Sequence, residues 1–506
     1  MKLVVIGAGI GGLTAAALLA EHGFDVTVLE AHVEPGGCAA TFFHKGYRFD
    51  VGATLVGGFH HGGPHAIVAE QLGITWPIRS VDPAMKVHLP DRTIIRYGDD
   101  DRWRAERIKA FGPDAEKFWH QQERAADAVW NLSARVPAWP IASLNDVMQL
   151  TTAIRPDLMP IAPLALTNVR VWANRSGARG KTLETFLDAQ LLIAAQAIAS
   201  DTNGLYGAVA LDLYRRGVAH VEGGVGNIAE TLATAVKANG GRVLYRHEVT
   251  RIRRDVALQR LYRIETKRGV FEADAMIANL TPWSLARLIG EGAPASLTKR
   301  VSQLKPTWGA FTVYLGVDAE AIDDDIEHHQ VVVDANKPLG EGNSVFVSIS
   351  PEWDISRAPH GQRAITISTH THAADWYAIA NDEAAFEDRK QQYADKLIEA
   401  ASIALPKLRQ HIRLMMPGTP LTFERFTRRA DGMVGGFPQR SLWSSWSPHV
   451  DKNLWLVGDS IFPGQSTAGV TLGALRVVRE IERRAWSMFR ASHLTSLTTR
   501  YVTSEE

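Results

Sequence analysis

The sequence predicts an α/β fold built on a parallel, Rossmann-like sheet, and its first thirty residues carry that expectation. A β-branched run at Lys2–Ile6 leads into a glycine-rich turn, then an alanine- and leucine-rich helix, then a second β-branched run at Asp25–Leu29. Two short, almost wholly apolar strands around a helix form a crossover unit whose strands are covered on both faces. The remainder of the 506 residues is long enough for a second, α+β part with its own core.

Each element of this unit has a physical reason. Lys2–Ile6 suits a buried parallel strand, and Leu13–His22 reads as a helix stopped by Gly23. Between them, Gly7, Gly9 and Gly12 stand in G-x-G-x-x-G spacing. Gly7 permits the tight turn, Gly9 lets backbone approach a pyrophosphate, and Gly12 allows close helix–strand packing. Glu30 ends the second strand, where a carboxylate accepts ribose hydroxyls and disfavours a 2′-phosphate. A tight turn without ligand is the alternative. Strand, glycines, helix, strand and acid in that order favour a dinucleotide site.

Glycines continue after Glu30 in PGGCAATFFHKGYRFDVGATLVGG, where Gly36–Gly37 and the cluster Phe49–Thr54 place backbone rather than side chains against a large ligand. Far along the chain, LWLVGDSIFPGQSTAGVTLGAL repeats the logic. Leu454–Val457 reads as a strand, Gly458 and Asp459 end it, and a helix runs from near Ala468 towards Trp486. Asp459 is a candidate acceptor for a sugar hydroxyl, with a helix N-cap as the alternative.

Composition excludes several classes. Lys and Arg number 55 against 55 Asp and Glu, and the chain is 45% hydrophobic and 22% charged, a globular mix without the basic excess of a nucleic-acid binder. Cys38 is the one cysteine and cannot form an internal disulfide, which points to a reducing compartment. No apolar run approaches the roughly 18 residues of a spanning helix. The glycines after Met1–Ile6 argue against a signal peptide. Of 14 tryptophans, Trp103, Trp119, Trp130, Trp139 and Trp172 cluster in one section and suggest a large core. His60, His61 and His65 in FHHGGPH are weak catalytic candidates. No carboxylate interleaves with them, so no metal is expected, and a histidine beside the ligand could accept a proton.

The GAGIGG turn with Glu30, the PGG block, FDVGAT and LVGDSIFPG…STAGV together resemble the carotenoid desaturase and isomerase family of flavoproteins. Further matches lie at Gly217–Ala233, Gly240–Ile252, Ala273–Pro282 and Gly418–Pro438, so the resemblance spans nearly the whole chain. FDVGATLVGG and the region 186–211 look most like C-3′,4′ desaturases. The resemblance implies a discontinuous FAD-binding domain of the glutathione-reductase and amine-oxidase type from residues 1–85, 215–290 and 445–490. Residues 86–214 and 291–444 would then form an α+β substrate domain with a helical lid, leaving 491–506 as a tail.

By the same resemblance, Gly7, Ala8, Gly9, Ile10, Gly11 and Gly12 would cradle the FAD pyrophosphate, while Glu30 holds the adenosine ribose and Val249 faces the adenine. Ala31, Gly37, Cys38 and Asn279 are further cofactor contacts. Asp50, Gly52, Ala53 and Thr54 form the loop beside the flavin, Gly458 and Asp459 meet the phosphate and ribityl chain, and Gly469, Val470 and Thr471 lie near the isoalloxazine. One departure stands out. Many relatives carry arginine directly after the glycine pair, where it meets phosphate, and this chain has Cys38.

A polyene substrate offers no charge to grip, so an apolar tunnel is expected, with Leu158–Leu166, Phe186–Leu192 and Ile193–Ile198 as lining candidates or ordinary helical core. Desaturation moves a hydride to the flavin and releases a proton, and quinone or oxygen could take the electrons onward. Thr307–Val317, Ser344–Ser350 and Ala364–Thr369 read as strands, and the acidic Asp318–Glu327 as a solvated turn. The apolar stretch Asn145–Trp172 suggests peripheral docking on a cytoplasmic membrane face, or else a buried lid helix. Alternatives to C-3′,4′ desaturation are a redox-neutral cis–trans isomerase, a polyene saturase, and a prenyl-protein escort or dissociation inhibitor without flavin.

Overall fold

The structure, a computed structural model, describes residues 1–52, 54–135, 139–141, 147–148, 150–151, 155–255, 261–304 and 308–502. The side chains of residues 157, 255, 261 and 486–502 lie outside this description. So do Ala53, Thr307, residues 145–146, 149 and 152–154 of the apolar stretch, and 503–506 of the tail.

β1 (Lys2–Ile6), α1 (Ile10–Glu21) and β2 (Asp25–Leu29) form the expected crossover unit. The helix starts earlier than Leu13 because the last glycines of the turn already make its first turn. A six-stranded sheet follows the order Arg242–Leu244, β2, β1, Ala275–Ala278, Leu454–Leu456, His449–Asp451, parallel except for the final pair. Three distant stretches of chain thus share one sheet. Its register sets Ile6 beside Leu29 and Ala278, and Ala278 beside Leu456. The residues that follow these strands, Gly7, Glu30, Asn279 and Gly458, therefore gather at one edge, the carboxyl ends where ligands of such sheets sit. Leu3, Val5, Leu13 and Leu18, each at most 1% exposed, seal the sheet to its helices.

A second sheet of seven strands runs Ile412–Gly418, Gly309–Asp318, Gln362–Thr371, Ser344–Ile349, His328–Val332, Met85–His88, Thr93–Arg96. The three strands read from alternation are all present, within a few residues. Met85–His88 and Thr93–Arg96 are additional, a hairpin too short to show periodicity. Strand alternation divides the Gly309–Asp318 side chains. Phe311, Val313 and Leu315 pack under the helix Glu383–Ala401, whereas Thr312 and Tyr314 face a large cavity.

The acidic stretch meets expectation only in part: Glu320, Asp323 and Asp325 are exposed, but the stretch also finds partners. Asp323 and Asp324 pair with Lys407 and Lys86, and Glu327 is buried against His220. Cationic partners from distant elements, invisible in the local sequence, turn this stretch into a clamp. The tryptophan cluster is mainly core: Trp103, Trp119 and Trp172 pack with Phe118 and Phe186.

Candidate active site

The edge where the strand ends gather opens into one continuous cavity of about 1490 Å³. Its outer end is made by Gly7, Gly9, Ile10 and Gly11. Gly9 is the N-cap of α1 and has no side chain to cap it, so the first N–H groups of a twelve-residue helix are left for a ligand. Close packing explains the glycines. Gly7 has φ +94°, a Cβ on Gly12 would stand 2.4 Å from the Gly7 carbonyl, and one on Gly9 would stand 2.5 Å from Asn279 Nδ2. Glu30 accepts the Ala8 N–H at 2.7 Å and the His32 N–H at 2.8 Å, which ties the turn to the end of β2. The residues fit a dinucleotide: an uncapped helix start, a backbone cradle and a carboxylate beside it.

The C-terminal constellation completes the wall. Gly458, at φ +103°, follows the strand Leu454–Leu456, and the Asp459 carboxylate lies 3.0 Å from Arg429. The helix Thr467–Val502 presents its start to the cavity through Ser466, Gly469 and Val470.

Most of the residues singled out from sequence meet here. Gly7, Gly9, Ile10, Gly11, Glu30, Ala31, Gly37, Cys38, Gly52, Thr54, Val249, Asn279, Gly458, Asp459, Gly469 and Val470 all line the cavity. Ala8, Gly12 and Thr471 lie behind the lining, each buried. Asp50 lies elsewhere: its carboxylate turns inward to Arg357 at 2.9 Å and to the Val225 N–H at 2.9 Å. Ala53 is outside the described residues.

The histidine cluster also lies off the cavity wall. His65 is 1% exposed, stacks on Phe59 at 4.5 Å, and burial pushes its pKa down to about 3. His60 is half-buried, with its pKa lowered chiefly by burial, and His61 is exposed. Among the described residues, the metal-ligating side chains that come within reach of one another are Asp318, Glu320 and His411, away from the cavity.

Deeper in, the wall becomes mainly apolar. Ala189, Leu192 and Ile193 of the helix Lys181–Ala195 line it, with Trp130, Tyr206 and Phe346. Phe186 belongs instead to the tryptophan core, and the turn Pro156–Leu166 sits outside, packed on the helix Gly204–Ala210. His370, which sequence gave no reason to select, is on this wall. Its Nε2 is 3.0 Å from Gln196 Nε2, and burial pushes its pKa down to about 4. Alternation along Gln362–Thr371 was the available signal, since it puts His370 on the face opposite Ile365 and Ile367.

Comparison with known proteins gives the family and the fold. The model of the flavin containing amine oxidoreductase family matches residues 10–481. Prolycopene isomerase 1 of an Oncidium hybrid cultivar is 28% identical, covering 94% of this chain and 83% of its own. A 4,4′-diapophytoene desaturase from Methylomonas is 24% identical, covering 91% of each chain. Cyclohexylamine oxidase from Brevibacterium oxydans shares the fold with a TM-score of 0.59 at 15% identity, covering 95% of this chain and 99% of that one.

Proposed function

The chain belongs to the flavin-containing amine oxidoreductase family, and from that premise we propose that it desaturates a carotenoid-type polyene at the C-3′,4′ position of an acyclic end group. It is an FAD-dependent oxidoreductase whose relatives are carotenoid isomerases and desaturases. When bound, FAD supplies a hydride acceptor. The observation that carries the reading is one cavity lined both by the glycine cradle and by apolar side chains suited to an uncharged chain. Gly9, Glu30 and Asp459 would hold the dinucleotide. Leu192, Ile193 and Phe346 would seat the polyene and exclude water. The division into a three-part FAD domain and a substrate domain with a lid belongs to the same proposal.

Desaturation releases a proton, and His370 is our choice of acceptor. Its depressed pKa keeps the ring neutral at neutral pH. The Gln196 amide nitrogen now faces it, while the Gln196 oxygen has no partner. Turning that amide would give the ring an acceptor for a new N–H.

Redox-neutral isomerisation is the second reading, favoured by the higher identity to prolycopene isomerases than to the desaturase. Product analysis decides: desaturation lengthens the chromophore and shifts its absorption to the red, and isomerisation changes geometry at constant hydrogen count.

Membrane docking is part of the proposal. No helix among the described residues is long and apolar enough to cross a bilayer. Met148, Met159 and Leu166 are 60%, 72% and 93% exposed, and the turn carrying the last two packs on the helix that contributes Tyr206 to the cavity. An apolar lip beside the cavity wall suits uptake of a lipid-dissolved substrate. M159E/L166E is expected to abolish flotation with liposomes; unchanged flotation would remove the lip from the proposal. Quinone or oxygen as electron acceptor remains the proposed sink, tested by reoxidation of the reduced enzyme with each.

A further inference from the structure

A phosphate in a sheltered cavity needs a cation or a helix N-terminus against its charge. Cys38, directly after the glycine pair Gly36–Gly37, lines the cavity and carries no such charge. Four arginines line the cavity: Arg287, Arg425, Arg428 and Arg429. The first three are exposed on the surface, whereas the Arg429 side chain is only 16% exposed. Its position is set by three acceptors, Asp459 at 3.0 Å, the Gly435 carbonyl at 2.6 Å and the Met433 carbonyl at 2.8 Å.

Arg429 also stands near Cys38. Its charge acts on the Cys38 thiol, and both residues line the cavity. The helix Pro420–Thr427, two residues before Arg429, packs on the turn Gly37–Ala39 that contains Cys38. That turn is in turn fastened to the glycine cradle, because the Gly36 N–H is bonded to the Ala8 carbonyl at 2.8 Å and Gly36 lies opposite Gly9. Arg429, Cys38 and the phosphate cradle therefore share one stretch of wall.

We propose that Arg429, held at the cavity wall beside the uncharged Cys38, supplies the positive charge that faces the FAD pyrophosphate. The Asp459 pair holds the guanidinium in place without using all five of its N–H donors.

The test is titration of apoprotein with FAD and with riboflavin, which lacks phosphate, read by flavin fluorescence. R429Q is expected to weaken FAD by about tenfold or more while changing riboflavin by less than about threefold, the signature of a lost phosphate contact. Equal weakening of both flavins, or unchanged FAD affinity, would overturn the proposal and leave Arg429 as a partner of Asp459 alone. C38R/R429Q, which places a cation at position 38 on the same wall, is the second arm and is read even where R429Q alone does not fold. Recovery of FAD affinity to within about threefold of wild type is expected. A folded double variant that binds riboflavin but shows no preference for FAD would contradict it.

Discussion

Asp50 and Arg357 form a buried ion pair, 2.9 Å apart, with each residue 5% exposed. Asp50 also accepts from the Thr41 hydroxyl at 2.5 Å and the Val225 N–H at 2.9 Å. Val51, Gly52 and Thr54, which follow it, line the cavity. The carboxylate thus anchors the loop from behind and does not face the ligand. Asp50→Ala leaves a buried guanidinium unpaired and is expected to cost on the order of 3–5 kcal/mol of stability. Denaturant unfolding of the flavin-loaded protein checks this, and a loss below about 1 kcal/mol would contradict the anchoring role.

His220, on the strand Val218–Val221, lies between two carboxylates, 2.7 Å from Glu327 and 2.9 Å from Asp354. Burial works against its charge, but the hydrogen bonds to Asp354 and Glu327 outweigh that and raise its pKa. The sign follows. A raised folded pKa gives stability that is fully present below the unfolded value near 6.5 and is lost as pH rises through the folded value. Stability of the wild type is expected to decline as pH is raised from about 6.5, and His220→Gln to lack that decline. Parallel pH profiles for the two proteins would contradict it.

Gly12→Ala sets a methyl group 2.4 Å from the Gly7 carbonyl, a clash with backbone that no rotamer relieves. The expected cost is about 1–3 kcal/mol together with a displaced cradle. Purified G12A should carry markedly less flavin per chain than wild type, measured by its visible absorbance. Full flavin content would show that the helix–strand contact is not what shapes the site.

His370→Ala is expected to lower turnover by about 10²-fold, the usual contribution of a positioned proton acceptor, with little change in flavin content. In the wild type, the ring charges only as pH falls towards about 4, so turnover should be level near neutrality and fall on that acid side. Its folded pKa is depressed, so the neutral ring also disfavours folding progressively as pH drops from about 6.5 towards 4. Unchanged turnover in H370A would return the search to other residues of the inner wall.

The glycine-lined end of the cavity was largely legible in sequence because its parts are local. A glycine turn between a strand and a helix declares itself within thirty residues, and the register of parallel strands then brings Glu30, Asn279 and Gly458 to the same edge. The apolar end was legible only in part, through Ala189, Leu192 and Ile193 of the expected lining. Thr312, Tyr314 and His370 reach the cavity because alternate residues of a second sheet face it, and nothing in a single strand says which face that is. His60, His61 and His65 attracted notice as a cluster, yet local packing around Phe59 and Trp76 holds His65 in the core. Arg429 was hidden for a related reason, since its importance lies in its distance from Cys38 in space and not along the chain.

The most direct test of polyene desaturation is anaerobic mixing of the yellow, FAD-loaded enzyme with acyclic carotenoids while both absorbances are followed. The expected result is bleaching of the flavin in step with a red-shifted polyene that has lost two hydrogens at C-3′,4′. A flavin that stays oxidised, while the polyene changes geometry at constant hydrogen count, would contradict desaturation and establish the isomerase reading.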